Sequence, residues 1–422
     1  MKIAVIGTGI SGNVAAYHLN KEHEITVFEA NNYIGGHTHT HDIESNGKTY
    51  QVDSGFIVFN HKTYPNFIKL LAELGVQEKL STMSFGVKCE KTGLEYMGST
   101  LNSLFAQRRN LFRPSFWKMI REILRFNKEA SALVTEDIDD ITLGEYLKRG
   151  NYSQTFIDLY LIPMAAAVWS ADLQIMYQFP ARYLIRFFQN HGLLSVNDRP
   201  DWYVIKGGSK TYATALTESF KDKIRLSTPV QKVQRTDSGV LITSTQGEEH
   251  FDAVFIASHS DQALAMLADP SEAEQQVLGA ISYQDNEVLL HTDESVMPQR
   301  KLAWAAWNYH LLEGEQGRVP VTYNMNILQG FDCPEQFCVT LNNSDAIDQD
   351  KVLKRMNYQH PVYTPESVAA QARQVEINTG RTFYCGAYWR YGFHEDGVVS
   401  ALDALEHFKK NFNKNLNKSC NE

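Results

Sequence analysis

Six residues near the start of the chain, Gly7-Thr8-Gly9-Ile10-Ser11-Gly12, have types and spacing suited to holding a diphosphate. Gly7 permits a tight turn, Gly9 lets the backbone approach a pyrophosphate, and Gly12 lets a helix pack closely on a strand. A helix opening at Ile10 and Ser11 presents free N–H groups and the positive end of its dipole to the phosphates. Glu29 stands about where a carboxylate accepts from ribose hydroxyls in such units, and an acid there disfavours a 2′-phosphate. Glycine loops are common, so the context carries the weight. Lys2 to Ile6 (KIAVI) reads as a buried strand, Val14, Ala15, Ala16 and Leu19 as a helix face, and Glu24 to Phe28 as a second strand that ends on Glu29. A bound dinucleotide is the expectation.

After Glu29 the chain runs Ala30-Asn31-Asn32-Tyr33-Ile34-Gly35-Gly36-His37 and then reaches Asp53-Ser54-Gly55-Phe56. In these residues it resembles the flavin-containing amine oxidase superfamily, which includes monoamine oxidases, phytoene desaturases and protoporphyrinogen oxidases. The resemblance implies that Ala30, Gly35, Gly36 and His37 pass beside FAD and that Gly55-Phe56 returns under the isoalloxazine ring. NAD alone would not require the Gly35-Gly36 element, so the expected cofactor is non-covalent FAD. Gly207-Gly208 resembles the superfamily's middle Gly-Gly motif, and the family's equivalent of Val230 contacts the adenine side through its main chain. Gly386, followed by Gly392-Phe393-His394-Glu395-Asp396-Gly397-Val398, resembles the terminal flavin motif. There a helix N-terminus meets the N1–C2=O edge of the flavin and stabilises negative charge on the reduced ring. The implied cofactor contacts are therefore Gly7, Gly9, Ile10, Ser11, Gly12, Glu29, Ala30, Gly35, Gly36, His37, Gly55, Phe56, Val230, Gly386, His394, Gly397 and Val398. Two departures stand out: Ala387 replaces the usual acid after the strand glycine, and Asp396 adds one residue to the Gly-x-x-Glu-Gly pattern. Attachment of the flavin through Cys385 is not expected, because that residue lies in the last strand rather than beside the ring's methyl edge.

A flavin takes two electrons as a hydride from a C–H bond, so the protein must orient the substrate and keep water out. Several amine oxidases of the superfamily carry a lysine near N5 on a substrate-domain strand; the most similar stretch here, Asn286 to His291, has none. Phe393 stands where monoamine oxidases have one of two framing tyrosines. His394 and His37 are the candidates for handling a proton near the flavin. No second Gly-x-Gly-x-x-Gly marks an NADPH domain, so electrons leave to oxygen, a quinone or a partner protein. In KIAVIGTGISG, FEANNYIGGHTHT, DSGFIVFN and YCGAYWRYGFHEDGVVSAL the chain resembles in particular bacterial FAD-dependent oxidoreductases associated with cyclopropane-fatty-acyl synthases. That likeness implies a lipid acyl substrate and a lipid methyltransferase as a partner.

These residues need elements to hold them. Tyr64 to Leu74 reads as a helix with Pro65 in its first turn and Gly75 at its end. Ser84 to Cys89 and Leu94 to Met97 read as strands. Ile141 to Leu147 begins a helix with a Thr142/Glu145 capping box. Phe156 to Trp169 is strongly apolar, and Tyr177 to Phe188 reads as one aromatic helix, so 100 to 195 form a helical cap. The return to the nucleotide-binding pattern comes at Trp202 to Leu216, followed by strands at Ile224 to Thr228, Val230 to Val233, Val240 to Thr245 and Ala253 to Ile256. Val288 to Thr292, Ala303 to Tyr309, Val321 to Ile327 and Phe337 to Leu341 suit a substrate-domain sheet, with Trp304, Trp307, Tyr309 and Tyr323 as candidate pocket walls. Arg381 to Cys385 is the last strand. His37, His39 and His41 at period two invite a metal reading, but no Cys or carboxylate stands close by to complete a tetrahedral set, and none is assigned. Residues 104 to 128 hold seven Lys and Arg against one acid, Glu122, interleaved with Phe112, Phe116, Trp117 and several aliphatics. Such a segment suits peripheral contact with an anionic bilayer, or a cap helix with solvated arginines.

The fold class expected is α/β: a Rossmann-like FAD-binding domain of the glutathione-reductase/amine-oxidase type with a mixed-sheet and helical-cap substrate domain. At 422 residues the chain exceeds one comfortable core. The FAD domain is expected over 1–75, 200–262 and 378–422, and the substrate domain over 76–199 and 263–377. A net charge of −9 argues against nucleic-acid binding. Five scattered cysteines fit a reducing compartment better than a disulfide framework. A first strand beginning at residue 2 leaves no room for a leader, and no apolar run spans a bilayer, so a cytoplasmic protein is expected, with any membrane contact peripheral on the inner face. The expected function is FAD-dependent oxidation or desaturation of an apolar, lipid-acyl substrate. The alternatives are a flavin amine oxidase and a non-catalytic flavoprotein partner of a lipid methyltransferase.

Overall fold

The computed structural model describes residues 1–135, 141–169, 172–195, 199–314 and 317–419. Cys420, and the parts of the expected ranges at 136–140, 170–171, 196–198, 315–316 and 420–422, lie outside the described residues. A five-stranded sheet runs in the order Ile224–Arg225, Glu24–Phe28, Lys2–Ile6, Ala253–Ile256, Thr382–Tyr384. Every pairing in it is parallel, with Ile3 opposite both Ile25 and Ala253 and Phe255 opposite Phe383. Ala253–Ile256 and Thr382–Tyr384 are buried throughout. That double-sided burial is why these strands read as unbroken apolar runs rather than alternating ones. Helix Ile10–Leu19 follows the first strand, and helix His394–Ser419 packs against it. Gly397 makes that approach possible, since a Cβ there would come within 2.6 Å of Ile10 Cγ2. A three-stranded antiparallel meander, Val230–Arg235, Val240–Ser244 and Gly247–Phe251, flanks the sheet.

A seven-stranded mixed sheet forms the second layer. Its order is Val352–Val362, Ser282–His291, Cys338–Leu341, Val321–Asn324, Trp307–Leu311, Phe85–Cys89, Leu94–Met97. Only the Trp307–Leu311 and Phe85–Cys89 pair is parallel. Over it lie helices Pro114–Thr135, Leu143–Arg149, Ile162–Trp169, Leu173–Gln178 and Ala181–Asn190. They share one core with the sheet, in which Phe126, Phe156 and Phe188 are fully enclosed; each such side chain contributes about 2–3 kcal/mol by leaving water.

Several elements match the sequence reading to the residue, among them Lys2–Ile6, Glu24–Phe28 and Leu94–Met97. Helix Pro65–Leu74 ends on Gly75 at φ 67°, and the Thr142/Glu145 capping box is formed. Others are corrected. The single helix expected over Tyr177 to Phe188 is two, parted at Phe179, whose extended backbone (ψ 139°) is what a following proline imposes. The apolar run from Phe156 passes through a π turn at Ile157–Leu161 before Pro163. The strand from Ile224 stops at Arg225, because Ser227 turns to φ 50°. The strand expected at Ala303 begins at Trp307, after a 3₁₀ turn over Lys301–Ala303, and Val321 to Ile327 becomes strand then helix at Met325. Strands Gly247–Phe251 and Val352–Val362 were not anticipated. Both are edge strands rich in charged and polar residues, so neither shows an apolar signal.

Candidate cofactor and substrate site

A cavity of about 910 Å³ opens at the carboxyl ends of the parallel strands, where ligands bind in open α/β sheets. This lies near the top of the roughly 300–1,000 Å³ range of ligand pockets. Its wall begins at the glycine loop, passes Glu29, Ala30, Gly35–His37, Gly55 and Phe56, and includes Val230, Gly386 and Phe393-His394. It then extends between the two layers to Phe85, Trp169, Phe187, Trp202, Trp307 and Tyr323.

The loop is braced from behind. Thr8 N and Oγ1 donate to Glu29 Oε2 at 2.8 and 2.6 Å, Asn31 N donates to Oε1 at 2.8 Å, and Asn13 Nδ2 donates to Thr8 O at 2.7 Å. Glu29 thus fixes the loop as well as facing the cavity, and a carboxylate's lone pairs are not exhausted by three donors. The first-turn amides of the Ile10–Leu19 helix have no intrahelical acceptor and sit at the cavity wall. Gly9, at φ −63° and ψ 176°, would direct a Cβ into open space, whereas one on Gly12 would lie 1.9 Å from Gly7 O. Gly9 therefore leaves room for a ligand, and Gly12 leaves room for the helix. Around the same cavity three buried polar atoms, His37 Nε2, His259 Nδ1 and Trp307 Nε1, have no hydrogen-bond partner among the described residues. A loop with free amides, a carboxylate at the end of the second strand and unpaired polar atoms around one cavity fit FAD.

His37 lies in a histidine cluster, its ring 6.2 Å from His259 and 5.7 Å from His360. Burial, followed by the charges of His360, His259 and His394, holds His37 well below the ordinary imidazole range. Burial pushes His360 down to about 4 and lowers His259 as well. All three face the cavity as neutral rings. His39 and His41 go elsewhere: His39 Nδ1 is 3.0 Å from Tyr358 Oη, and His41 Nε2 is 2.9 Å from Ser54 Oγ. His259 and His360 carried no sequence signal. One follows the Ala253–Ile256 strand and the other sits on an edge strand of the second sheet.

His394 is held differently. Its ring stacks on Phe56 at 3.6 Å, and its Nε2 is 2.5 Å from Tyr212 Oη, which is itself 2.5 Å from Thr38 Oγ1. Burial pushes it down to about 3. With Nε2 engaged and one face covered, the His394 ring is fixed in place on the cavity wall. The extra residue of the terminal motif also has a task. Asp396 Oδ2 accepts from Phe393 N at 2.9 Å, capping its own helix. Glu395 accepts from Asn66 N, Asn66 Nδ2 and Phe67 N at 2.7–3.0 Å, capping the Pro65–Leu74 helix. Gly397 and Val398 are not on the cavity wall as expected. Gly397 N donates to Phe393 O within the helix, and Val398 is buried in the core beneath the parallel sheet. With one residue added, the helix's free amides fall at His394 to Asp396.

Asp53 links the first and middle segments. It accepts from Ser209 N, Ser209 Oγ, Thr40 Oγ1 and Gln329 Nε2 at 2.5–2.9 Å, which fixes the Gly207-Gly208 turn. Of the four aromatic wall candidates, Trp307 and Tyr323 line the cavity. Trp304 instead donates to Pro298 O, and Tyr309 is enclosed in the core. Among the described residues lining the cavity there is no Lys, Arg or Asp, and Glu29 is the one carboxylate. The four described cysteines are all buried and free. No helix among the described residues is long and apolar enough to cross a membrane.

The family model for flavin containing amine oxidoreductases matches residues 10–333. AofH of Mycobacterium tuberculosis, named as a flavin-containing monoamine oxidase, is 25% identical over 279 residues, which cover 64% of this chain and 59% of that protein. The cyclohexylamine oxidase of Brevibacterium oxydans superposes with a TM-score of 0.69 at 15% identity, over 97% of this chain and 99% of that one. A fatty acid isomerase of P. acnes that produces CLA superposes with a TM-score of 0.62 at 15% identity, over 96% and 98%. At such identities the two solved structures share the fold.

Proposed function

We propose that this chain, which belongs to the flavin containing amine oxidoreductase family, is an FAD-dependent oxidoreductase that oxidises or desaturates an apolar acyl chain. One observation carries the reading: the deep half of the cavity is walled by Phe85, Trp169, Phe187, Trp202, Trp307 and Tyr323, with no Lys, Arg or Asp among the described lining residues. An apolar wall favours burial of CH₂ groups at about 0.8 kcal/mol each. That the fold also serves a fatty acid isomerase is compatible with this.

FAD, when bound, supplies a ring that accepts a hydride. The rest falls to the protein. The glycine loop and the Ile10–Leu19 helix terminus would hold the diphosphate and Glu29 the ribose, while His37, His259 and His360 would line the same cavity as neutral rings. His394, fixed by Tyr212 and Phe56, would keep its part of the cavity wall in place. The aromatic half orients the acyl chain and excludes water from the reacting C–H bond.

The second reading is amine oxidation, favoured by the likeness to AofH. The two are separated by adding substrates anaerobically to the holoprotein. Free fatty acids or lysophospholipids dispersed in detergent should bleach the flavin band and yield an unsaturated or oxidised acyl product. Bleaching by a panel of amines, with none by any acyl compound, would replace the first reading by the second.

A further inference from the structure

On the far side of the helical layer, helix Leu101–Leu104, the 3₁₀ turn Arg108–Phe112 and helix Pro114–Thr135 present large apolar side chains to solvent. Phe112 is 87% exposed, Leu101 76%, Leu124 52%, Trp117 43% and Leu111 42%. The same segment buries Phe105, Phe116, Met119 and Phe126 in the core, so its inward face is already satisfied. Along the long helix Trp117, Arg121, Leu124 and Lys128 follow at i, i+4, i+7 and i+11, which places them on one outward stripe. Arg108, Arg109, Lys118, Arg121 and Lys128 are exposed around it.

The patch is built, not floppy. Trp117 Nε1 donates to Leu111 O at 2.9 Å, Arg108 Nη1 to Phe105 O at 2.7 Å, and Arg109 Nη2 to Gly93 O at 2.8 Å. Its charge is one-sided. Between residues 104 and 128 the single acid, Glu122, turns inward to the amide of Ser153, and Arg125 is paired with Glu129, so five exposed cations, Arg108, Arg109, Lys118, Arg121 and Lys128, stand around this face of a chain whose net charge is −9. Apolar side chains rising among fixed cations match a surface that offers anionic phosphates above hydrocarbon. A second copy docking patch to patch would set these cations against one another.

We infer that this face seats the enzyme on an anionic phospholipid bilayer, with Leu101, Leu111, Phe112, Trp117 and Leu124 entering the headgroup–acyl boundary. The neighbouring helix, Ala181–Asn190, packs against Pro114–Thr135 and supplies Phe187 to the cavity wall, so the bound face is one layer from the site. The inference stands on the surface alone and does not depend on the substrate proposed above.

The test is sedimentation of the flavin-loaded protein with vesicles of phosphatidylcholine alone or mixed with phosphatidylglycerol. Binding should require phosphatidylglycerol, weaken as salt is raised, and fall about tenfold or more in both Phe112→Ser and the double variant Lys118→Glu/Arg121→Glu. These positions are exposed, and an unchanged flavin spectrum and melting temperature check that the variants fold. Equal binding to both vesicles, no binding, or variants that bind like the parent would overturn the inference. So would light scattering that shows a dimer dissolved by Phe112→Ser.

Discussion

Replacing Gly9 by alanine should separate folding from cofactor binding. Gly9 precedes the Ile10–Leu19 helix at φ −63° and ψ 176°, a backbone any L-residue adopts, and its added Cβ would meet nothing within 4 Å. Alanine lowers the entropy of the unfolded chain, worth about 0.4–1 kcal/mol in favour of folding. It is a poorer N-cap than glycine by a similar amount. The apoprotein should therefore melt within a few degrees of the parent. The methyl group, however, enters the cavity beside the amides of Ile10 and Ser11. Weakening two charge-assisted hydrogen bonds to the diphosphate costs about 3 kcal/mol, close to a hundredfold in Kd. The assay is titration of stripped protein with FAD by quenching of flavin fluorescence, with melting curves of both apoproteins. Gly12→Ala is the contrast. Its Cβ would lie 1.9 Å from Gly7 O and 3.1 Å from Ala257 Cβ, so the helix must leave the strand and little folded protein should accumulate. A Gly9→Ala protein that binds FAD within threefold of the parent, or whose apo form melts far lower, would refute the reasoning.

Three further outcomes are expected. Glu395→Ala should destabilise the protein by about 3 kcal/mol, since it strips the acceptor from the amides of Asn66 and Phe67, while Glu395→Gln should cost about half as much; denaturant midpoints would show this. Stability should fall as pH drops from about 6 toward 4.5. His41, His191, His291, His360 and His394 are pushed down to about 4 or about 3 by burial, so the unfolded chain binds their protons first. Asp53 and Asp396, raised to about 6 and about 7, oppose them. The net of about three protons gives about 4 kcal/mol per pH unit near pH 5, and melting points flat across that range would contradict it. Acid precipitation should leave all flavin in the supernatant, because Cys385 is buried with its thiol pushed up to about 12; a yellow pellet would sink the non-covalent assignment.

The sequence by itself determined the first strand–loop–helix–strand unit. Its signals are local: an apolar run of five, glycines whose spacing sets one turn, and an acid at the end of the next strand. Hydrogen bonds inside one short unit, such as Thr8 to Glu29, enforce them. It also marked the terminal helix and the basic, aromatic segment, since composition within one helix decides both. The tertiary structure alone decided what faces the cavity. His37, His259 and His360 come from segments more than a hundred residues apart, and the latter two sit in no motif, because their role arises where two sheets meet. It showed that Glu395 and Asp396, adjacent in sequence, cap two different helices, and that the added residue moved the free amides away from Gly397 and Val398. It revealed Val352–Val362, an edge strand whose exposed faces erase the apolar pattern that marks buried ones. Local periodicity records which side of an element is buried; only the packing of distant elements decides what that side encloses.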